Sequence, residues 1–589
     1  MSLFGKDLDI RKDTNIDERI NDFGINVKDF GAKGDGIHDD SKAVQAAFDH
    51  VRSGGTVYFP PNGTYKANSS TLLINKNLKL LGSNNTQLII KGITQFDTTV
   101  TNIEFESMVF NNTEVSSGDP TVPDGVKVFK SIIYIINPNL NLSIRNCTFM
   151  WQTELQTNCL GVSADSLNTL KIKDSIFLTG GIQLLDANYF DISDNHFNGK
   201  DVNLNELIHA QHNIKGVIRN NRMINSAMDF IDLYAHGHET IVEGNHLDGG
   251  SNLYMEIKSI FRDSGVWGGS STDLGNIKNV VIRNNFFVNN KKLGTGLHYF
   301  INGYCMDLRT TPVANDYQYY NNNLIFEGNT FEDMFVDPTI TSGTFRDGLC
   351  LSGWDNVKIV NNTFKSITGH SRPLVIGQLY GSPGPTLSSQ RARNILIHGN
   401  TFHSTFTAIT ISEADNILVD SNMIYQSADQ TIPIVNGISV DQATSIRIAN
   451  TTIKDDQFSI IATSIVGDIT VVNCALGKLR FGNSTYVKCI ANDIKGDVVF
   501  SDTINFVDFI NNSHDSGSIS ANITISGTVN KFKLIGNTLI SPRWNVYIAG
   551  SYTKFISSNN FLNYGDPHPL FQSTTVDSSK FSNGDNLLA

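Results

Sequence analysis

Residues 240–247 read TIVEGNHL: alternating apolar positions, a Gly-Asn pair, and a closing apolar residue. The phrase recurs as LSIRNCTF from Leu142, LKIKDSIF from Leu170, FDISDNHF from Phe190, GVIRNNRM from Gly216 and VVIRNNFF from Val280. It continues as LIFEGNTF from Leu324, VKIVNNTF from Val357, ILIHGNTF from Ile395, ILVDSNMI from Ile417 and IRIANTTI from Ile446, with a weaker copy, FKLIGNTL, from Phe532. Most copies follow one another at roughly 20–30 residues, the period of a β-solenoid coil. The alternating half predicts a short strand with one buried face. The Asn predicts a tight αL turn and a ladder onto the Asn of the next coil. One solenoid core, rather than four or five separate domains, is the expectation for this 589-residue chain.

Composition narrows the partners. A net charge of -12 with only 17% charged residues argues against a sequence-independent nucleic-acid binder, which needs a basic face. Anionic lipid is disfavoured for the same reason, and no apolar run approaches the length of a membrane span. The first 24 residues, polar and mixed in charge, carry no signal-peptide-like apolar run and are expected to be a flexible or partner-docked leader. Six cysteines without CxxC spacing (Cys147, Cys159, Cys305, Cys350, Cys474 and Cys489) predict buried thiols rather than disulfides or a zinc site.

Residues 25–90 have a different character. Asp39 and Asp40 precede Ala43, Val44, Ala46, Ala47 and Val51 at helical spacing, which predicts one short amphipathic helix ended by Gly54 and Gly55. Thr56–Phe59 reads as a strand stopped by Pro60 and Pro61. The sequence DFGAKGDGIHDDSKAVQAAFD, then GGTVYFPPNGTY, then a strand ending in LLGS, resembles the N-terminal module of the pectate-lyase superfamily. The resemblance implies an all-β, right-handed parallel β-helix whose short helix caps the first coils. It gives Asp39 and Asp40 a structural role in the cap, helix capping included. The expected organisation is a leader (1–24), cap and first coils (25–90), a parallel β-helix with groove-lining loops (91–480), and a C-terminal part (481–589) that continues the solenoid or forms a separate β element.

Three intervals between copies are too long for a bare coil: Thr240 to Val280, Val280 to Leu324, and Val357 to Ile395. The extra residues, with Phe261, Trp267, Tyr299, Tyr304, Tyr317, Tyr319 and Tyr320, predict loops that wall a ligand groove or pack on the solenoid or another subunit.

The chemistry is read from the strand upstream of each phrase. In IHAQ (Ile208–Gln211), Ile208 and Ala210 point inward, so His209 and Gln211 face out. Aligning IDLY, MEIK, MDLR and LCLS from the following coils gives two outward columns: His209/Asp232/Glu256/Asp307/Cys350 and Gln211/Tyr234/Lys258/Arg309/Ser352. Carboxylates on adjacent rungs about 4.8 Å apart are a costly like-charge stack unless function retains them. Glu206, Asp229 and Asp347 stand three residues before these columns; Asp229 is expected in the turn before its strand. Glycoside hydrolysis needs one carboxyl as acid and another as base or nucleophile.

The pattern also resembles tailspike endorhamnosidases, with Asp229 and Asp232 matching an Asp-x-x-Asp pair and Glu206 the Glu of a neighbouring coil; Glu256 competes for that role. The resemblances imply catalytic Asp229, Asp232, Glu206 and Glu256. Substrate contacts are expected from His209, Tyr234, Lys258, Trp267, Asp307 and Arg309. No cofactor and no metal are expected, the run AHGHE (Ala235–Glu239) being a weak zinc motif. The implied protein is a homotrimeric phage tailspike or appendage that hydrolyses a bacterial surface polysaccharide at the host surface, or else a secreted one. A lyase, an enzyme acting on a phosphate-linked wall polymer such as teichoic acid, or a non-catalytic glycan binder remain open, the second favoured by Lys258 and Arg309.

Overall fold

In the computed structural model the described residues are 24–83, 85–112, 130–151, 159–199, 206–226, 229–234, 239–250, 253–261, 277–288, 299–307, 321–332, 346–365, 371–377, 391–404, 407–426, 436–454, 458–515, 521–541, 544–564, 571–573, 581–583 and 587–588. The expected leader lies outside them. Among them the secondary structure is one α-helix, one 3-10 turn and strands paired in parallel: a right-handed parallel β-helix with an N-terminal capping helix. No helix among these residues is long and apolar enough to cross a membrane. The chain divides into two compact units, Met1–Asp232 and Leu233–Ala589.

In the first unit a complete coil runs through three strands, for example Ile208–Gln211, Lys215–Arg219 and Arg222–Ile224. Each lies in parallel register on the coil before it: Ile182 opposite Ile208, Ile192 opposite Ile218, Phe197 opposite Met223. Stacking in register places like side chains above one another. Phe110, Phe149, Phe177 and Phe197 form a buried column with ring centroids 5.3, 4.7 and 4.6 Å apart, close to the spacing of parallel strands.

The helix Ser41–His50 buries Val44, Ala47 and Phe48. Its capping differs from expectation. Asp40 occupies the N-cap position, but two converging donors, the Lys33 and Gly34 N–H groups, hold its carboxylate at 2.6 and 3.1 Å. Asp39 accepts instead from the N–H and hydroxyl of Ser41. On the helix, Gln45 treats the strand Leu72–Leu73 as a neighbouring strand would: its Oε1 accepts from the Leu73 N–H at 2.9 Å and its Nε2 donates to the Leu73 carbonyl at 3.0 Å.

The turn within the repeat phrase performs its two expected jobs with two successive residues. The first adopts positive φ: Asn220 in the first unit; Gly244, Asn284, Gly328, Asn361, Gly399 and Ser421 in the second. The residue after it builds the ladder. In the second unit the Oδ1 of each Asn accepts from both the backbone N–H and the side-chain amide of the Asn one coil earlier, through Asn245, Asn285, Asn329, Asn362, Asn400 and Asn422, at 2.9–3.1 Å. Asn492, Asn512, Asn537 and Asn560 repeat the arrangement. Parallel pairing continues beyond residue 480 to Phe561–Leu562 against Leu587–Leu588. Phe287, Phe331, Phe364 and Phe402 stack beside the ladder at 4.8–4.9 Å.

Cys147, Cys350, Cys474 and Cys489 are buried thiols that form no disulfide. Cys147 and Cys474 occupy the ladder position, and burial pushes their thiols up to about 12 and about 11. The side chains of Cys159 and Cys305 lie outside the described set.

Replacing Asn362 by Ala should cost about 1–3 kcal/mol, because it strands the Asn329 amides that Asn362 accepts; chemical denaturation measures this. A second test concerns His514. It is fully buried, its Nε2–H donates to the Gly496 carbonyl at 2.6 Å, and burial pushes its pKa down to about 4. The unfolded chain therefore binds the extra proton first, between about 6.5 and 4. Stability from the neutral ring is present above pH 6.5 and falls by up to about 3 kcal/mol as pH drops to 4. His514→Asn should flatten that part of the stability–pH curve, read by thermal melts.

Candidate functional site

The site in the first unit is built where one coil hands over to the next. The Ile182 N–H donates to the Leu207 carbonyl, and the Leu207 and Ile208 N–H groups donate to Asp229 and Phe230 in turn. Gly181 permits this approach: a Cβ there would lie 2.5 Å from the carbonyl oxygens of both Glu206 and Leu207. Glu206 and Asp229 therefore sit in equivalent turns, each two residues before its strand.

The strand Ile208–Gln211 alternates as its sequence implies, with Ile208 and Ala210 buried and His209 and Gln211 partly exposed. His209 stacks in register on Gln183. Its Nδ1 lies 3.0 Å from Asp232 Oδ2, with side-chain exposures of 16% and 1%. Where Asp232 is ionised it can only accept, and the His209 Nδ1–H then donates to it. Glu206, partly exposed, completes the group: one donor atom from each of Glu206, His209 and Asp232 lies within 4.8 Å of the other two. Among the described residues no other grouping of three or more His, Cys, Asp or Glu side chains comes this close. Asp229 is buried at 3% exposure and is not part of the trio. Asp186 and His212 flank the strand. Burial raises the Asp186 carboxyl and lowers the His212 imidazole, while the Asp186 charge pulls His212 back up. Neither was singled out from the sequence; Gln183, also passed over, was legible from the alternation of Ile182-Gln183-Leu184.

In the second unit Glu256 and Lys258 pair on the strand Met255–Phe261, and the Lys258 ammonium stands 5.3 Å from the Tyr234 ring centroid. The lysine charge is thus divided between a carboxylate and an aromatic face.

The outward columns read from the sequence need correction beyond Glu256. The residue opposite Glu256 is Asn302, and opposite Lys258 is Tyr304, not Asp307 and Arg309; Asp307 pairs with Phe261. The reason is Gly303. It occupies the inward position between Ile257 and Leu351, where a Cβ would come within 2.7 Å of the Leu351 side chain. Apolar alternation passes over a glycine and settles on Met306 and Leu308 instead. Asp347, expected near the turn acids, lies within the strand Arg346–Ser352, opposite Tyr299. Tyr299, Tyr304 and Phe261 belong to strands rather than loops, in keeping with the strand preference of aromatics. Nor does the outward face stay open to solvent: Cys350 and Val375 are fully buried and Thr410 is 8% exposed. Trp267, Arg309, His236, His238, Tyr317, Tyr319 and Tyr320 lie outside the described residues.

Residues 24–232 match the family model described as rhamnogalacturonase A/epimerase, pectate lyase-like. Alginate lyase 7 of Azotobacter vinelandii is 43% identical over 86 residues, which is 13% of this chain and 10% of the relative's own length. Pre-mature gene product 12 of bacteriophage phi29 aligns over 97% of this chain and 73% of its own, at 15% identity and a TM-score of 0.44. The tailspike of E. coli bacteriophage HK620 aligns over 92% and 81%, at 12% identity and a TM-score of 0.33.

Gly181→Ala should push the Glu206–Leu207 backbone off its seat and lower stability by about 1–3 kcal/mol. An undiminished melting temperature would mean that this close approach is not needed to hold the turn.

Proposed function

We propose, from the premise that residues 24–232 belong to the pectate-lyase-like family, that this chain is a glycan depolymerase that hydrolyses a bacterial surface polysaccharide. The observation that carries the reading is the grouping of Glu206, His209 and Asp232 within 4.8 Å. Two carboxylates this close are nearer the roughly 5–5.5 Å separation of the double-displacement, retaining route than the roughly 6.5–9.5 Å of inverting pairs.

In that route Glu206, the partly exposed acid, attacks the anomeric carbon as the bond to the departing sugar oxygen breaks. His209 in its imidazolium form, with its Nδ1–H held by Asp232, delivers its Nε2 proton to that oxygen. A water then bonds to the anomeric carbon, returns its proton to the pair, and releases Glu206. Asp229, buried in the preceding turn, supports the Asp232 strand and is the third acid to test. Glu256, Lys258 and Tyr234 present a paired charge and an aromatic ring suited to sugar contact. Assembly as a homotrimer and placement on a phage tail complete the reading, on the resemblance of Asp229, Asp232 and Glu206 to the tailspike pattern. Light scattering reports the trimer.

A lyase is the second reading, favoured by the 86-residue similarity to an alginate lyase. One experiment separates the two: reducing-end release from capsular, O-antigen, wall and alginate polysaccharides, with the first-formed anomer followed by NMR. Glu206→Gln and Asp232→Asn should each lose about 100-fold or more in cleavage while still binding glycan, and the product should keep the anomeric configuration of the substrate. Unsaturated chain ends would replace hydrolysis by elimination. Full cleavage by both variants would remove the trio from the chemistry.

A further inference from the structure

We propose that Glu206, His209 and Asp232 also form a binding site for a divalent transition metal, with zinc the best match, and that the metal competes with hydrolysis for the same side chains. The site rests on the trio already assigned to catalysis, but its existence does not depend on that assignment.

Three observations lead there. The donor set is one imidazole and two carboxylates, ligand types that zinc takes, and three protein ligands leave a fourth position open. Calcium, which takes six to eight oxygens, is poorly served by it. The spacing is close to what zinc requires. His209 Nδ1 and Asp232 Oδ2 are 3.0 Å apart, near the roughly 3.3 Å edge of a tetrahedron with bonds of about 2.0–2.1 Å, so an ion can take the place of the proton between them. The widest separation in the trio, up to 4.8 Å, exceeds the roughly 4.2 Å that two such bonds can bridge. Bringing that separation to the tetrahedral edge takes a shift of up to about 1.5 Å by Glu206, which a rotamer change of a side chain outside the strand can supply. Finally, the backbone is preset: the turn carrying Glu206 is seated on Gly181, and His209 stands in parallel register on Gln183. Glu206 and His209 keep partial exposure, leaving a path for the ion and for a water as fourth ligand.

Bound metal would occupy the carboxylate that attacks and tie up the pair that moves the proton. Zinc is therefore expected to inhibit glycan release and EDTA to restore it, the reverse of a metal-dependent lyase.

The test is calorimetric titration of the full EDTA-treated chain with zinc chloride, and separately with calcium chloride. Zinc should bind at one ion per chain and calcium without measurable saturation. Cobalt(II) should give the visible absorption bands of a four- or five-coordinate site. Glu206→Gln, in a partly exposed turn where folding is least at risk, and His209→Gln should each weaken zinc about tenfold or more. Asp191→Asn, in the exposed pair with Arg219, should leave it unchanged. Absence of one-to-one zinc binding would overturn the proposal, as would unaltered affinity in both site variants. Because calorimetry needs no glycan, a failed metal site and a failed hydrolase reading give different results.

Discussion

Everything in this fold depends on satisfying the inward-facing amides at the turn of each coil. A solenoid coil is too short to bury a turn under other elements, yet its corner is sealed from solvent by the coils on either side. A buried backbone N–H without a partner is costly. The asparagine ladder meets that requirement with a side chain that accepts from one coil and donates to another. Asn362, for example, accepts from Asn329 one coil earlier and donates to Asn400 one coil later. Where the ladder residue changes, the acceptor function persists: Ser175 Oγ serves the Cys147 N–H, and Thr451 Oγ1 lies 3.4 Å from the Asn422 N–H.

With the corner and the phenylalanine columns holding the inside, the outward positions are free to carry chemistry. Adjacent rungs bring residues far apart in sequence within contact, as with His209 and Asp232. The price of that proximity is a buried carboxylate, and the imidazole that donates to it offsets the cost. Glu206 reaches the same place from a turn, so the trio combines two rigid members with one adaptable one.

The repeat phrase was legible because strand alternation and turn chemistry are local. Inward and outward faces followed wherever every inward residue was apolar, as in Ile208, Ala210, Met255 and Ile257. Register failed at Tyr299–Asp307, where packing against Leu351 and Trp354 requires a glycine that carries no apolar signal. Alternation also says which side of a coil a residue takes and nothing about what covers that side; hence the burial of Cys350 and Val375 on a face expected to be wet. The single asparagine expected to turn and to ladder proved to be two neighbouring positions, because αL geometry and an inward-pointing amide cannot be supplied by one residue of this corner. Asp229, Asp232 and Glu206 stood out by charge alone, whereas only coordinates distinguish the trio from the acid beside it.

The glutamine that pairs with Leu73 bears on a hazard of all open-ended parallel sheets. An unpaired rung offers N–H and C=O groups to any extended segment and is a template for end-to-end fibre growth. Gln45 fills one such place with a side-chain amide, and because it projects from a helix it offers no further rung of its own. A concentrated population of identical solenoids could then stay unpolymerised at this edge without depending on surface charge.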